Sequence, residues 1–272
     1  MHTNRRVRRL WSVLACGGIG LGGMACKEPP QSYETPSLGP EEEVLSLAGT
    51  FAYKQVLSQY VRKPVGSGYE QQTIIAYTFG PLEATDDPLR FRWSDRICEV
   101  ALSELSGAQI LLDDGYYLNP ATPTVTLALE ALEVGAALSL PQTIETYGVT
   151  LENPADDALP VDPEDPRVYD FDFDENPGFT VYVDGVADGT IWSIQRYVYQ
   201  MEGVLVSADR VSGLIVGYTE DSYLYASASY LPQQSDTYPD EEPSHNFFEL
   251  VRVPDDYTCQ RLIDEKESLF AQ

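Results

Sequence analysis

Short runs in which apolar and polar residues alternate recur along the chain from about residue 49. Leu89, Phe91 and Trp93 alternate with two arginines, which is the period-two pattern of a strand with one buried face. Thr73–Phe79 is a run of β-branched and aromatic residues, which favour strands. Runs of the same kind lie at residues 190–201, 203–208, 211–218, 223–230 and 246–253. The pattern predicts a mainly β protein built from many short strands.

Two Asp-Gly pairs mark the clearest hairpin. Asp184-Gly185 and Asp188-Gly189 stand between the run Phe179–Val183 and the run that begins at Thr190. Such pairs tolerate the positive φ angles of tight turns. We therefore expect the two flanking strands to be antiparallel neighbours.

The end of the chain carries the clearest helical signal. Thr258 is placed to cap a short helix, because its hydroxyl can accept a hydrogen bond from a backbone N–H of the first turn. Leu262, Ile263, Leu269 and Phe270 then fall on one face. The sequence thus predicts a short C-terminal helix with one apolar side.

Many short antiparallel strands separated by turns indicate a barrel or a sandwich. We predict a single antiparallel β-barrel or β-sandwich domain over residues 47–272, which includes the C-terminal helix. Residues 125–134 fit either a strand or a helix. Residues 153–166, with five acids and four prolines, are expected to form a surface loop.

The beginning of the chain has the composition of an export signal. Four arginines among the first nine residues precede an apolar, glycine-rich stretch that ends at Ala25. This stretch is shorter than the about 20 residues of a membrane-spanning helix. Residues 1–25 are therefore predicted to be a signal peptide.

Cys26 directly follows the small residue Ala25, and this segment resembles a bacterial lipoprotein signal, whose cysteine is lipidated and becomes the new N-terminus. Cleavage at Cys16 would leave a very short apolar segment. Residues 26–46 are rich in proline and glutamate and are predicted to form a flexible, disordered tether. We expect a protein anchored by lipid in the cell envelope, at the outer membrane, with release as a secreted protein as the alternative.

Two cysteines, Cys98 and Cys259, remain once Cys16 is removed with the signal and Cys26 is lipidated. Exported proteins fold in oxidising compartments, so this pair is expected to form a disulfide. The bridge would fasten the C-terminal segment to the domain.

The net charge of the chain excludes some classes of function. The chain has 17 Lys and Arg against 43 Asp and Glu, a formal charge of −26. Nucleic-acid binding needs a basic surface, so this class is excluded. Loss of the signal removes four arginines and no acid, which makes the protein still more acidic.

Chemistry based on histidine is limited, because His245 is the one histidine beyond the signal. A metal site built on several histidines is therefore excluded. Ser244 is adjacent, but neighbouring residues on a strand point to opposite faces, and the chain has no G-x-S-x-G motif. We predict no catalytic residue and expect His245 to be a partly exposed loop residue.

Asp170, Asp172 and Asp174 form the clearest candidate site. Oxygen ligands at positions one, three and five begin many calcium loops, so these aspartates are predicted as a weak Ca²⁺ site, although the EF-hand spacing is not met. The pattern favours the alternative of a strand, in which Phe171 and Phe173 face a core and the aspartates face water. Apart from Ca²⁺ no cofactor is expected.

Three segments between residues 144 and 217 carry a resemblance: Glu145–Pro154, Asp165–Asp170 and Pro177–Val181. This region resembles a group of acidic bacterial lipoproteins of unknown function, in which the aspartate segment reads D-x-D-G-D-G-x-P-G-x-T and suits a metal-holding or tightly turned loop. Phe173 and Glu175 stand where that group has glycines, which favours a strand over a tight loop. The resemblance implies a secreted lipoprotein and supplies no activity.

Three hypotheses of function follow. The preferred one is a non-enzymatic envelope lipoprotein, anchored to the membrane by its lipid, whose acidic β domain binds an unidentified protein or carbohydrate partner or serves a structural role. The second is a hydrolase of envelope or extracellular polysaccharide with a pair of carboxylates. The third is a barrel that carries an apolar ligand, with walls drawn from tyrosines, which number 18. Those that stand out are Tyr197, Tyr199, Tyr218, Tyr223, Tyr225 and Tyr230.

Overall fold

The structure is a computed structural model that describes residues 31–40, 46–64, 67–119, 123–186 and 188–271. Within these ranges the chain forms a sheet of twelve strands and one α-helix, which confirms the predicted mainly β class. The strands are β1 (Gly49–Arg62), β2 (Tyr69–Ala84), β3 (Arg90–Trp93), β4 (Arg96–Leu102), β5 (Ala108–Leu112), β6 (Val125–Leu129), β7 (Ala137–Tyr147), β8 (Phe179–Gly185), β9 (Gly189–Ser207), β10 (Arg210–Ala226), β11 (Thr237–Pro239) and β12 (Phe247–Val253). The helix, α1, is Cys259–Leu269.

Eight of these strands close into a barrel. The ring order is β10, β12, β1, β2, β3, β6, β7 and β9, and β9 pairs back with β10. All neighbouring strands in the ring are antiparallel. The sequence had left a barrel and a sandwich open, and the pairing of β9 with β10 decides for the barrel.

Four strands extend the sheet beyond the ring. β4 continues the line of β3 along β2, β8 and β5 add to the edge of β9, and β11 pairs with the end of β1. β8 and β9 form the hairpin predicted from the Asp-Gly pairs. The Asp188 side chain accepts a hydrogen bond of 3.0 Å from the Gly185 N–H in its turn.

Large apolar side chains from the inward faces of the strands form the main core. Phe91 and Trp93 both lie in this core, as their alternation predicted, together with Phe51, Leu127 and Phe248. A second, aromatic cluster is formed by Tyr116, Phe171 and Phe179, with Tyr147 packed against it.

The helix α1 covers the outer face of β1 and β2. Leu262 and Phe270 pack against Ala52 and Tyr77, while the Thr258 hydroxyl accepts a hydrogen bond of 3.2 Å from the Arg261 N–H. The predicted helix, its cap and its apolar face are thus confirmed.

A bulge in β4 places the cysteine that holds this helix. Ile97 and Glu99 pair with consecutive residues of β2, which leaves Cys98 as the extra residue between them. Cys98 is bonded to Cys259 at the start of α1, with a Cα–Cα distance of 5.1 Å. The predicted disulfide is confirmed.

Residues 125–134 fitted either a strand or a helix, and residues 153–166 were expected to form a surface loop. Residues 125–129 are a strand, β6, and residues 153–166 form an irregular loop, as predicted. The runs predicted at 190–201 and 203–208 join into the single strand β9, and those at 211–218 and 223–230 share the long strand β10, which ends at Ala226.

The described part of the predicted tether, residues 31–40, has no regular secondary structure. Two backbone hydrogen bonds join it to the domain, from the Tyr33 N–H to the Ser244 carbonyl at 2.6 Å and from the Gly39 N–H to the Val206 carbonyl at 3.0 Å. The predicted signal peptide, residues 1–25, and the predicted lipidation site, Cys26, lie outside the described residues. In the part of the chain that is described, no helix has the length and apolar character needed to cross a membrane.

Candidate functional site

A cavity of about 150 Å³ lies inside the barrel. Most strands of the ring contribute inward-facing side chains to its wall, and the wall is mainly apolar. Aromatic side chains form much of it, among them Tyr53, Trp93, Tyr147, Phe179, Tyr197 and Tyr199. The rings of Tyr197 and Tyr199 are stacked, with centroids 4.5 Å apart.

A bulge in β7 turns an acidic residue into this cavity. Leu138 and Leu140 face the barrel interior, and strict alternation would bring residues 144 and 146 to the same side. The register of β7 against β9 shifts between Leu140 and Thr143, which exchanges the two faces of the strand. As a result Glu145 and Tyr147 line the cavity.

Two tyrosine hydroxyls hold the Glu145 carboxylate. The Tyr199 hydroxyl donates to Oε1 at 2.7 Å, and the Tyr147 hydroxyl donates to Oε2 at 2.6 Å. Burial raises the pKa of Glu145, the two hydroxyls oppose this, and the charge of Asp95 raises it further, so that the pKa lies above its ordinary value. Burial and the Glu145 charge also raise the pKa of both tyrosines, which therefore keep their protons and act as donors.

The neighbouring Tyr197 hydroxyl makes no hydrogen bond of good geometry with the described residues. Tyr197 is only 7% exposed, and no described residue meets its hydroxyl in hydrogen-bond geometry. Gln55 is near enough to lower the pKa of Tyr197, but burial outweighs this effect and raises the pKa overall. The Gln55 carbonyl accepts instead from Tyr53 at 2.9 Å. A buried hydroxyl without a partner costs about 1–3 kcal/mol, so a ligand that bonded to it would recover this loss.

Asp95 is the second acid in the cavity wall. It lies where the chain passes from β3 to β4, is buried, and accepts a hydrogen bond from the Thr78 hydroxyl. The backbone between β3 and β4 passes close to β2 at this point, since a Cβ at Gly80 of β2 would lie 2.0 Å from the Ser94 carbonyl oxygen. The wall therefore holds two carboxylates, and no lysine, arginine or histidine is among the described residues that line it.

The structure also brings Asp170, Asp172 and Asp174 together, with one carboxylate oxygen of each within 4.8 Å of the others. The predicted strand is wrong, because Phe173 and Glu175 have φ angles of 61° and 69° in the left-handed region. Glycine adopts this conformation more readily than either of these two residues does. The chain consequently turns, so that Phe173 is 63% exposed while Asp172 is 2% exposed.

Hydrogen bonds within the loop fix these carboxylates. Asp170 accepts from the Glu175 N–H at 3.0 Å, and Thr180 donates its N–H to Asp172 and its hydroxyl to Asp174, both at 2.6 Å. The other oxygen of Asp172, Oδ1, is buried and accepts no hydrogen bond from the described residues. Burial, with the Asp174 charge added, raises the pKa of Asp172 to about 6.

These three carboxylates are a donor set that suits a hard cation such as Ca²⁺. The calcium site stays a prediction, and the three aspartates that would form it lie on a loop and not on a strand. The loop also reaches the cavity wall, because Phe171 packs against Tyr116 and Tyr147 with ring centroids 5.1 and 5.6 Å apart.

His245 lies in a short 3-10 helix and does not form a nucleophilic relay. Its Nδ1 is 2.8 Å from an Asp240 oxygen, and the Ser58 hydroxyl donates to that same oxygen at 2.8 Å. A Ser-His-Asp triad instead needs the serine on the second nitrogen of the histidine. The adjacent Ser244 hydroxyl donates to Glu242.

Only two of the tyrosines singled out in the sequence, Tyr197 and Tyr199, line the cavity. Tyr218, Tyr225 and Tyr230 are each about half exposed. Sequence reasoning missed Glu145 and Asp95 as site residues. One signal for Glu145 was available, since a proline inside a strand, here Pro141, marks a bulge or an edge.

Comparison of the chain with protein-family models, with curated proteins and with solved structures finds no match. The site must therefore be interpreted from its own residues.

Proposed function

We propose that this chain binds a small ligand inside its barrel and that a lipid on Cys26 holds it in the cell envelope. One observation carries the proposal: a closed barrel contains a cavity of about 150 Å³, and Tyr197, which lines it, has a buried hydroxyl with no hydrogen-bond partner among the described residues. A core that served only for stability would be packed without such a gap, because protein interiors are close-packed. A buried polar atom without a partner is also rare in native proteins.

The size of the cavity limits the ligand. Apolar cavities of about 150 Å³ admit molecules of the size of benzene. We therefore expect a ligand of on the order of six to ten non-hydrogen atoms, with an apolar body and at least one polar group.

This cavity favours ligand binding over the two other hypotheses. An interaction module would need no internal cavity. A polysaccharide hydrolase needs a cleft that holds a chain of sugars between two carboxylates. Asp95 and Glu145 instead lie in a small internal space, and both accept hydrogen bonds from neighbouring hydroxyls.

Filling the cavity provides the test. Ala76 lines it, and Ala76→Leu adds three carbons to this space. The matched control is Ala128→Leu, because Ala128 lies on β6 between the inward-facing Leu127 and Leu129 and so faces outward.

Ligand-observed NMR with a panel of small amines, alcohols and acids measures binding to the three proteins. We expect some members to bind the unmodified protein and Ala128→Leu, and to lose binding to Ala76→Leu. Absence of binding by every member of the panel, or equal binding to both variants, overturns the proposed function.

A further inference from the structure

The cavity wall contains a buried glutamate whose described partners carry no positive charge. Of the described residues that line the cavity, Asp95 and Glu145 are acidic and none is basic. The two partners described for Glu145, Tyr147 and Tyr199, are neutral hydroxyl donors. Burying a carboxylate is costly unless a positive charge or a proton neutralises it.

The direction of the Glu145 pKa agrees with this geometry. Burial raises it above its ordinary value, and the nearby Asp95 charge adds to the effect. A positive group that entered the cavity would stabilise the ionised carboxylate, whereas a negative group would repel both acids.

The aromatic residues of the wall suit the same kind of ligand. The faces of tyrosine and tryptophan rings attract ammonium groups, especially where water is excluded. Tyr53, Trp93, Tyr197 and Tyr199 present such rings to the cavity. The Tyr197 hydroxyl, which has no hydrogen-bond partner of good geometry among the described residues, can in addition accept a hydrogen bond from an N–H group of the ligand or donate one to a ligand oxygen.

We infer that the ligand of this cavity is a small organic cation, an ammonium group with an apolar body, held by Glu145 and by the surrounding aromatic rings. The inference rests on the proposed function, since it names the chemical class of the ligand. Glu145 supplies the opposite charge, and Tyr147 and Tyr199 position its carboxylate.

Probes of similar shape and different charge test this class. One series is choline, 3,3-dimethylbutan-1-ol and 3,3-dimethylbutanoate, which are a cation, a neutral molecule and an anion. A second series places the same charges on a benzyl frame: benzylamine, benzyl alcohol and benzoate. Isothermal titration calorimetry gives the affinity of each probe for the unmodified protein.

We expect the cation of at least one series to bind about tenfold more tightly than its neutral counterpart, and the anion to bind most weakly. Equal or tighter binding of the neutral probe or the anion in both series overturns the inference and leaves the proposed function intact. Absence of binding by all six probes overturns the inference. If the wider panel also fails to bind, the proposed function falls with it.

Two variants separate charge from shape. Glu145→Gln keeps the size of the side chain and removes its charge, so we expect the preference for the cation to disappear while the neutral probe still binds. Glu130→Gln is the matched control, because Glu130 lies in an exposed turn, and it should keep the preference. An unchanged preference in a folded Glu145→Gln protein overturns the role assigned to Glu145.

Discussion

At the scale of single residues, Glu145 is a buried acid that was not predicted from the sequence. It lies on β7, and its carboxylate is buried among tyrosines. An acid whose pKa is raised by folding binds its proton more tightly in the folded state than in the unfolded state. Its contribution to stability is therefore complete at acid pH and is lost as the pH rises through the folded-state pKa.

This direction predicts a pH-dependent difference between the unmodified protein and Glu145→Gln, which does not titrate at this position. As the pH rises above about 4, the ordinary pKa of a glutamate, the free energy of unfolding of the unmodified protein should fall relative to that of the variant. Urea denaturation at several pH values without ligand measures the difference. The titratable groups described around Glu145 are present in both proteins, so the comparison isolates the titration of Glu145 itself. They are Asp95, Tyr53, Tyr147 and Tyr199. A difference that stays constant with pH would contradict the prediction.

Asp172 is the second residue for which folding creates an unusual acid, since one of its carboxylate oxygens is buried and accepts no hydrogen bond from the part of the chain that is described. If the aspartate loop binds Ca²⁺, millimolar calcium should raise the melting temperature relative to excess chelator. Binding to the folded state alone adds about 2.7 kcal/mol of stability when the ligand is at 100 times its Kd. Asp172→Asn should abolish the shift, and Asp86→Asn, at an exposed position, should retain it. If the melting temperature of the unmodified protein is the same in calcium and in chelator, the predicted calcium site is wrong.

At the scale of elements, the C-terminal helix depends on contacts that are distant in the chain. Its own sequence provides the cap and the apolar face, but the helix is held by Leu262, which is fully buried, and by the bond from Cys259 to Cys98. Isolated helices of 11 residues are marginal in water, so packing supplies most of the stability of α1.

Removing the disulfide should therefore destabilise the whole domain. The bond joins residues 161 positions apart, and the chain-entropy model gives about 5 kcal/mol for a loop of that length as an upper expectation. We expect Cys98→Ala with Cys259→Ala to lower the free energy of unfolding by a large part of this value in urea denaturation. Equal denaturation midpoints for the two proteins under non-reducing conditions would show that the bond adds no stability.

At the scale of the whole molecule, the protein is strongly acidic outside and acidic within its cavity. Its formal charge is −26, and loss of the predicted signal would remove four arginines and make the charge more negative. A field of this sign raises the local concentration of cations and accelerates their association. The net charge and the proposed ligand class are thus consistent with each other.

The predicted lipid anchor is tested on the complete chain in its cell. We expect Cys26→Ser to move the protein from the membrane fraction to the soluble fraction, because the acyl chains provide the membrane affinity. Cys16→Ser is the control and should leave the protein in the membrane fraction. Retention of the Cys26→Ser protein in that fraction would contradict the assigned site.

The sequence by itself determined the β class, the hairpin at Asp184-Gly185, the capped C-terminal helix and the pairing of Cys98 with Cys259. These features depend on local periodicity, on turn chemistry and on there being only two cysteines beyond the predicted lipidation site at Cys26. Closure of the barrel, the inward turn of Glu145 and the turn of the aspartate loop were decided by the tertiary structure. The reason is that one extra residue at a bulge moves every following side chain of that strand to the opposite face of the sheet. Where the bulge lies depends on pairing with a strand that is distant in the chain, as β9 is from β7. In the same way, Phe173 and Glu175 adopt left-handed angles that their own side chains disfavour, because Thr180 and the buried Phe171 hold the loop around them.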